Sequence, residues 1–290
     1  MQVQAIRTSS QALFLSAPVR PAISRSVSHP HALKQVDRVR ISPETQAKTN
    51  KLPSPEQTAK RLDFLVVLYH KSHSSQERVQ LIHTLGLIQA PETVKVLEKL
   101  MKEPLDEAQE NAVIAALGST RQALALAPLN DLYRSYWNRP AKRQRVIAAL
   151  GETHALSALE ALRQAYKDAW NSQDLKLSII QALGNTRLAE ATPLLKQIYQ
   201  DHWNQIPLRL AAISALGQTR SEQASQELLK IFQAESNQGQ FRQAVITALG
   251  QTRTEQAAEA LETLYPRLRS ASEKQAVLEA LQTIYLPLEA

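Results

Sequence analysis

The stretch RQAVITALGQTRTE at residues 242–255 decides the fold, because a close copy, RLAAISALGQTRSE, stands at residues 209–222. In each copy the apolar residues recur at intervals of three and four, which is the spacing of one face of an α-helix. A shared Ala-Leu-Gly phrase ends that face. The stretch therefore predicts a helix with one buried stripe, called here the B helix of a unit.

The same phrase recurs along the chain with a nearly fixed period. Six glycines are separated by 32, 33, 33, 33 and 33 residues: Gly86, Gly118, Gly151, Gly184, Gly217 and Gly250. A period of this length indicates stacked two-helix units, each of which buries its apolar face against its neighbours. We expect about seven helix pairs from Pro55 onward, with irregular end units. In the last unit, Gln282 stands where the glycine is expected.

The residues after each phrase predict how the units are joined. We expect glycine to end the B helix in a left-handed conformation, which costs glycine nothing because it has no Cβ atom. A Thr two residues later is then expected to open the A helix of the next unit. Glu222 follows Thr219, and Glu255 follows Thr252, at the spacing of a capping box. Such short turns predict antiparallel neighbouring helices.

Charge divides the chain into two parts. The net charge is +7 and the pI about 9.6, yet residues 61–290 hold 25 Lys/Arg against 24 Asp/Glu. Residues 1–53 are rich in Ser and Pro and lack an apolar period, so we expect a disordered basic arm, followed by a repeat domain at 54–290. The predicted location is cytoplasmic. The alternative is export or organelle targeting, because an acid-poor N-terminus is also typical of targeting signals.

Composition also excludes several kinds of site. The chain has no Cys, which rules out disulfides, thiolate metal sites and a Cys nucleophile. Apolar runs such as Phe64–Leu68 are far short of the roughly 20 residues that a membrane-spanning helix needs. His70 and His73 have chelating spacing but no evident third ligand, so no metal and no cofactor is predicted.

The recurring phrase, with a Lys or Arg eight residues before its glycine, resembles the HEAT-like repeats first associated with phycobilisome lyases. The resemblance covers roughly residues 55–286 and implies an all-α fold, a right-handed α-solenoid or superhelix. Proteins with such repeats include bilin lyase subunits, scaffolds and iron-metabolism partners. The present chain departs from the usual pattern after the glycine, where Thr-Arg or Thr-His replaces Gly-Asp.

Three rows of side chains recur once per unit and supply the candidate partner-binding residues. The first row lies eight residues before the phrase end and is interrupted by Glu110. It either forms a basic groove or covers the edge of the core. The second follows the Thr, includes His154, and either binds carboxylates or phosphates or stabilises helix C-termini. The third consists of tryptophans at the ends of the A helices, which either bind a partner or pack. The candidates are Arg143, Arg209 and Arg242; Arg121, Arg187, Arg220 and Arg253; and Trp137, Trp170 and Trp203.

The leading functional hypothesis is a non-enzymatic protein-binding scaffold or adaptor. No phosphate-binding loop, zinc-protease motif or nucleophile elbow is present, so the chain is predicted not to be an enzyme. Stacked helix pairs form long concave faces, and the exposed B-helix positions, such as Gln144 and Leu177, suit another protein or an extended peptide. The resemblance implies an alternative, a lyase-type or chaperone-like role in handling a bilin or other cofactor on a partner protein. Nucleic-acid binding is the third hypothesis, and the oligomeric state is left open.

Overall fold

The computed structural model describes residues 54–286, and this part of the chain forms fourteen α-helices and no strand. Odd-numbered helices are the A helices and even-numbered helices the B helices of seven successive pairs, which confirms the all-α repeat array. The helices are α1 Pro55–Lys71, α2 Ser75–Gly86, α3 Pro91–Leu100, α4 Glu107–Ser119, α5 Leu126–Ser135, α6 Pro140–Glu152, α7 Leu156–Asp168, α8 Gln173–Asn185, α9 Thr192–Asp201, α10 Ile206–Gln218, α11 Glu222–Ala234, α12 Gly239–Thr252, α13 Glu255–Leu264 and α14 Ala271–Tyr285.

The predicted disordered arm at residues 1–53 lies outside the described residues. The boundary at residue 54 therefore stays a prediction. Within residues 54–286, every helix is too short or too polar to cross a membrane.

The Ala-Leu-Gly phrase is the contact surface between successive B helices. A Cβ atom built on Gly151 would lie 2.7 Å from the carbonyl oxygen of Ala182, the alanine of the next phrase. The other five phrase-ending glycines face the equivalent alanine of the next B helix in the same way. The leucine between them, for example Leu150, is buried in the core. Gly and Ala therefore let two helix backbones approach closely, while Leu fills the space between layers.

This contact corrects the role predicted for glycine. No glycine in the described residues has a positive φ, and five of the six B helices with this glycine continue one or two residues beyond it. The left-handed residues are instead Arg121, His154, Arg187, Arg220 and Arg253, with φ between 50° and 54°. The prediction was wrong because a glycine near a helix end has two common causes, conformation and close approach, and only packing distinguishes them.

The role predicted for threonine is also wrong. The five threonines are buried at the ends of the B helices, where each hydroxyl donates a hydrogen bond to the carbonyl oxygen three residues earlier, as from Thr186 to Leu183 at 2.6 Å. The next A helix begins later, and its N-caps include Ser221 and Thr254. Thr therefore satisfies a carbonyl of the preceding helix and does not open the next one.

The two layers of the array differ in spacing. Each B helix packs along the next B helix through the Gly–Ala contact, whereas neighbouring A helices, which carry larger side chains, touch at far fewer points. A layer with closer spacing lies on the inner side of a curved stack. The B helices therefore line the inner face, and the A-to-B and B-to-A turns form its two opposite edges.

Candidate functional site

Three tryptophans stand exposed at the same place in three consecutive units. Trp137, Trp170 and Trp203 each follow an A helix, in the turn that leads into the B helix, and their exposures are 75%, 76% and 76%. The residue before each of them, such as Ala169, is buried or half-buried and anchors the turn. Packing therefore does not explain these indoles, which form a row called here the tryptophan edge.

A shallow pocket of about 460 Å³ lies beside Trp170, between the fourth and fifth units. Its apolar wall includes Tyr166 and Ile198, and its charged lining consists of three cations, Arg163, Lys167 and Lys176, and one carboxylate, Asp201. The pocket thus combines an exposed indole with positive charge.

Tyr166, which lines this pocket, is held by a hydrogen bond of 2.7 Å between its Oη and His202 Nε2. Burial, and then Asp201, raises the pKa of Tyr166 to about 12. Burial, and then Lys176, lowers the pKa of His202. Both side chains are therefore neutral near pH 7, and they position the aromatic wall without adding charge to it.

The first cationic row packs on the aromatic row of the A helices. Arg143 lies over Tyr133 with its guanidinium carbon 4.0 Å from the ring centroid, and Arg242 lies over Phe232 at the same distance. Lys176, Arg209 and Lys274 take the equivalent position over Tyr166, Tyr199 and Tyr265. The aromatic precedes its B-helix cation by ten residues in four of these units and by nine in the last, and this nearly constant separation is the signal that the sequence interpretation missed. Cation–π contact therefore ties the two helices of each pair together.

Two members of this row also form ion pairs with the following unit. Arg209 pairs with Glu235 and hydrogen-bonds to Tyr199, and both ionic side chains are only 10% exposed. Burial and the hydrogen bond to Glu235 raise the pKa of Tyr199 to about 12. Arg242 donates to Glu273 at 2.7 Å. The candidate residues Arg143, Arg209 and Arg242 are thus occupied by internal contacts.

The one acidic member of the row, Glu110, also forms an ion pair with the following unit, but here the B helix supplies the anion and the next unit the cation. It accepts hydrogen bonds from Lys142 and Tyr136 of the following unit. Although burial opposes it, these bonds lower the pKa of Glu110. The interruption seen in the sequence is therefore a compensated ion pair between units.

The second row lies at the B-to-A edge, in the left-handed residues that end the B helices. Two of its members contact the end of the next B helix. His154 Nδ1 lies 3.0 Å from the carbonyl oxygen of Thr186, and Arg253 Nη1 donates to the carbonyl oxygen of Leu286 at 2.9 Å. Within residues 54–286, the guanidinium groups of Arg121, Arg187 and Arg220 form no hydrogen bond and no ion pair. This row is therefore only partly used for helix capping.

The inner face carries a shallow groove of about 360 Å³ between α10 and α12. Leu210 and Ser214 line one side, and Gln243 and Thr247 line the other. These are the B-helix positions that the repeat predicted to be exposed. They bear no charge, so the groove offers apolar contact and hydrogen bonds.

Among the residues that the structure describes, no group of three or more His, Asp or Glu side chains is placed to hold a metal ion. His70 Nε2 lies 3.7 Å from Glu103 Oε1, and no second acidic side chain joins this pair. The candidate functional surfaces are therefore the two edges and the inner face.

Comparison with known proteins supports the repeat assignment. Residues 204–282 match the family model for HEAT repeats. No curated protein sequence matches the chain. The solved structures that it resembles include human deoxyhypusine hydroxylase in complex with glycerol, with a TM-score of 0.40 and 19% identity over 79% of this chain and 87% of that one. They also include the CpcE–CpcF complex of phycocyanin lyase from Nostoc sp. PCC7120, with a TM-score of 0.43 and 15% identity over 82% and 97%.

These comparisons correct the prediction that the chain is not an enzyme. That exclusion is wrong, because helical structures that the chain resembles include a hydroxylase and a lyase complex. A fold does not fix a function, so the absence of sequence motifs does not by itself exclude an activity. At 15–19% identity the likeness concerns the fold and assigns no reaction to this chain. The family match over residues 204–282 and the two-helix unit repeated through residues 54–286 show a HEAT-like repeat fold.

Proposed function

We propose that this chain binds a partner protein, with the tryptophan edge as anchor and the inner B-helix face as platform. The observation that carries the proposal is the exposure of Trp137, Trp170 and Trp203 at one position of three consecutive units. An indole supplies a large apolar surface and one N–H donor, and tryptophan is enriched among the residues that dominate protein interfaces.

The repeat itself indicates that the fold does not require these indoles. Ser236 stands at the equivalent position of the next unit, where the turn into α12 has the same form. A small polar residue is therefore compatible with the turn. Surface area that is neither buried nor needed for folding is best explained by contact with another molecule.

The period of the edge suits an extended ligand. Helix layers are about 10 Å apart, and an extended peptide advances about 3.3 Å per residue, so every third residue meets a new unit. The uncharged groove at Leu210 and Gln243 lies on the adjoining face. An extended partner segment can therefore contact one indole per unit and rest on the B helices.

A triple substitution tests the proposal. Trp137→Ser, Trp170→Ser and Trp203→Ser copy the residue found at position 236, so the fold should be retained. The full-length chain serves as bait for proteins from cells of the source organism. The amount of captured partner should fall at least about tenfold with the triple variant, because truncating anchor residues costs more than 1 kcal/mol each. Quantitative mass spectrometry provides the measurement.

A matched control separates the indoles from general loss of apolar surface. Leu124→Ser and Leu156→Ser remove exposed leucines near the B-to-A turns, at the opposite edge, and should leave capture unchanged. Equal capture by the wild type and the tryptophan variant would contradict the proposal, as would equal losses in both variants.

The chain supplies its own optical probe, because its three tryptophans all lie in this edge. Acrylamide should quench their fluorescence efficiently in the free protein. A captured partner, once purified and added back, should protect them. Unchanged quenching in the complex would place the interface elsewhere.

The pocket beside Trp170 favours a second candidate, a lyase-type or chaperone-like role toward a conjugated cofactor. Its volume of about 460 Å³ is within the usual range for small-ligand sites, and an indole beside three cations and one carboxylate leaves a net positive lining that suits a planar anionic molecule. Titration with a purified tetrapyrrole is the test. A visible spectral shift that Trp170→Ser and Lys176→Gln abolish would support this role, and no shift at high concentration would reject it.

A further inference from the structure

The turns of the B-to-A edge contain left-handed residues at positions where the sequence has neither Gly nor Asn. Four arginines and one histidine occupy the left-handed region, where side chains other than Gly, Asn and Asp are disfavoured by about 1 kcal/mol or more. Gly or Asn would end the B helices at lower cost. Capping accounts for His154 and Arg253, but Arg187 and Arg220 make no such bond within the described residues.

Three of these arginines line one cavity. Arg187, Arg220 and Arg253, from three successive units, border a pocket of about 290 Å³. No acidic residue lines it, and within residues 54–286 none of the three guanidinium groups has a carboxylate partner. Asn185, which also lines the pocket, donates a hydrogen bond to Glu152 Oε1 at 3.5 Å.

The rest of the lining adds donors to the same cavity. Gln218 and Gln251 border the pocket, but their amide oxygens are buried and accept no hydrogen bond in the described part of the chain. The amide NH₂ groups are therefore the polar atoms of these side chains that can face the pocket. Partial loss of hydration, and then Arg187 and Arg253, lowers the pKa of Arg220. The cavity thus concentrates N–H donors and positive charge without a counter-ion.

We infer that this arginine pocket binds an acidic peptide segment of another protein, with a carboxylate at about every third residue. Each guanidinium can hold a carboxylate through two parallel N–H···O bonds. The arginines recur once per unit, about 10 Å apart, and three residues of an extended peptide span about the same distance. This surface lies on the edge opposite to the tryptophans and goes beyond the function proposed above.

The probe is a short fluorescein-labelled peptide with Glu at every third position, and the control peptide has Gln at those positions. Fluorescence anisotropy with the full-length chain should show binding of the Glu peptide only. Its affinity should fall steeply with added salt, because the contacts are between exposed charges. Equal binding of both peptides, or no binding of the Glu peptide, overturns the proposal.

Substitution by Asn removes the charge and keeps a residue that tolerates the left-handed backbone. Arg187→Asn, Arg220→Asn and Arg253→Asn together should weaken binding of the Glu peptide by about tenfold or more. The matched control is Arg121→Asn, which changes the same position of the repeat outside the pocket and should alter affinity less than about twofold. Equal losses in both variants overturn the assignment.

Two further arms fix the ligand class and the surface. A labelled single-stranded oligonucleotide should bind more weakly than the Glu peptide, and stronger binding would make nucleic acid the ligand. Inorganic phosphate should weaken binding of the Glu peptide no more than another salt does at the same ionic strength. The triple Trp→Ser variant should bind the Glu peptide normally, so failure of the tryptophan proposal and failure of this one are distinguishable. Circular dichroism melting confirms that each variant is folded.

Discussion

Gly151→Ala should destabilise the protein, although the same change inside an exposed helix stabilises it. Gly151 lies near the end of α6, where its Cα faces the backbone of α8. The new methyl carbon would lie 2.7 Å from the carbonyl oxygen and 3.0 Å from the Cα of Ala182. Ordinary contacts of this kind are at 3.4–4 Å. Because the obstructing atoms belong to backbone, a side-chain rotation cannot relieve the clash.

The magnitude follows from two opposing terms. Replacing Gly by Ala in a helix gains about 0.5–1 kcal/mol through backbone entropy. Overpacking by one methyl in a close-packed contact costs about 1–3 kcal/mol, and here α6 and α8 must separate by about 0.7 Å along their contact. The net expectation is a loss of about 1–2 kcal/mol, or a fall in Tm of roughly 2–8 °C for a domain of this size.

Urea unfolding followed by circular dichroism measures this change, with Gly239→Ala as the matched control. A Cβ atom on Gly239, at the start of α12, meets no atom within 4 Å. Gly239→Ala should therefore be neutral or slightly stabilising. If Gly151→Ala proves as stable as the wild type, the close Gly–Ala contact is not what the repeated phrase provides, and the reasoning about the B layer is refuted.

Three other perturbations test the contacts described above. Arg209→Ala should cost about 3–5 kcal/mol in urea unfolding, because it leaves the Glu235 carboxylate buried without a cationic partner. Arg209→Ala combined with Glu235→Gln should recover much of that loss, and no recovery would contradict the pairing. The folded chain lowers the pKa of His202 below its usual value of 6.5. The contribution of neutral His202 to the free energy of unfolding is therefore complete above pH 6.5 and is lost as the pH falls below that value. Urea unfolding at neutral and mildly acidic pH should show this loss, His202→Gln should reduce it, and an NMR titration that placed its pKa above 6.5 would exclude it. Arg121→Val should destabilise the fold by about 1 kcal/mol, since a β-branched residue fits the left-handed region poorly, whereas Arg121→Asn should not; equal melting temperatures would argue against strain at this position.

The sequence by itself determined the all-α class, the two-helix unit and the number of helix pairs. A stripe such as Val245, Ile246 and Leu249 specifies a helix and its buried face, because side-chain periodicity is a local property. The fixed separation of the glycines specifies stacking, because each unit contacts only its neighbours. The step of nine or ten residues from aromatic to cation, as from Tyr133 to Arg143, was also present in the sequence, but only the packing shows that the two side chains are in contact.

Only the tertiary structure decided what the repeated positions do. Gly151 is required for close approach and not for a left-handed turn, Thr186 ends a helix and does not begin one, and Trp170 faces solvent although tryptophan is usually buried. The role of Gly151 depends on Ala182 in the neighbouring unit, and those of Thr186 and Trp170 depend on the path of the turns that follow the helices. The same repeated residue types are compatible with a side chain that points between two layers and with one that points into solvent. Exposure and charge pairing are therefore decided by how the units stack.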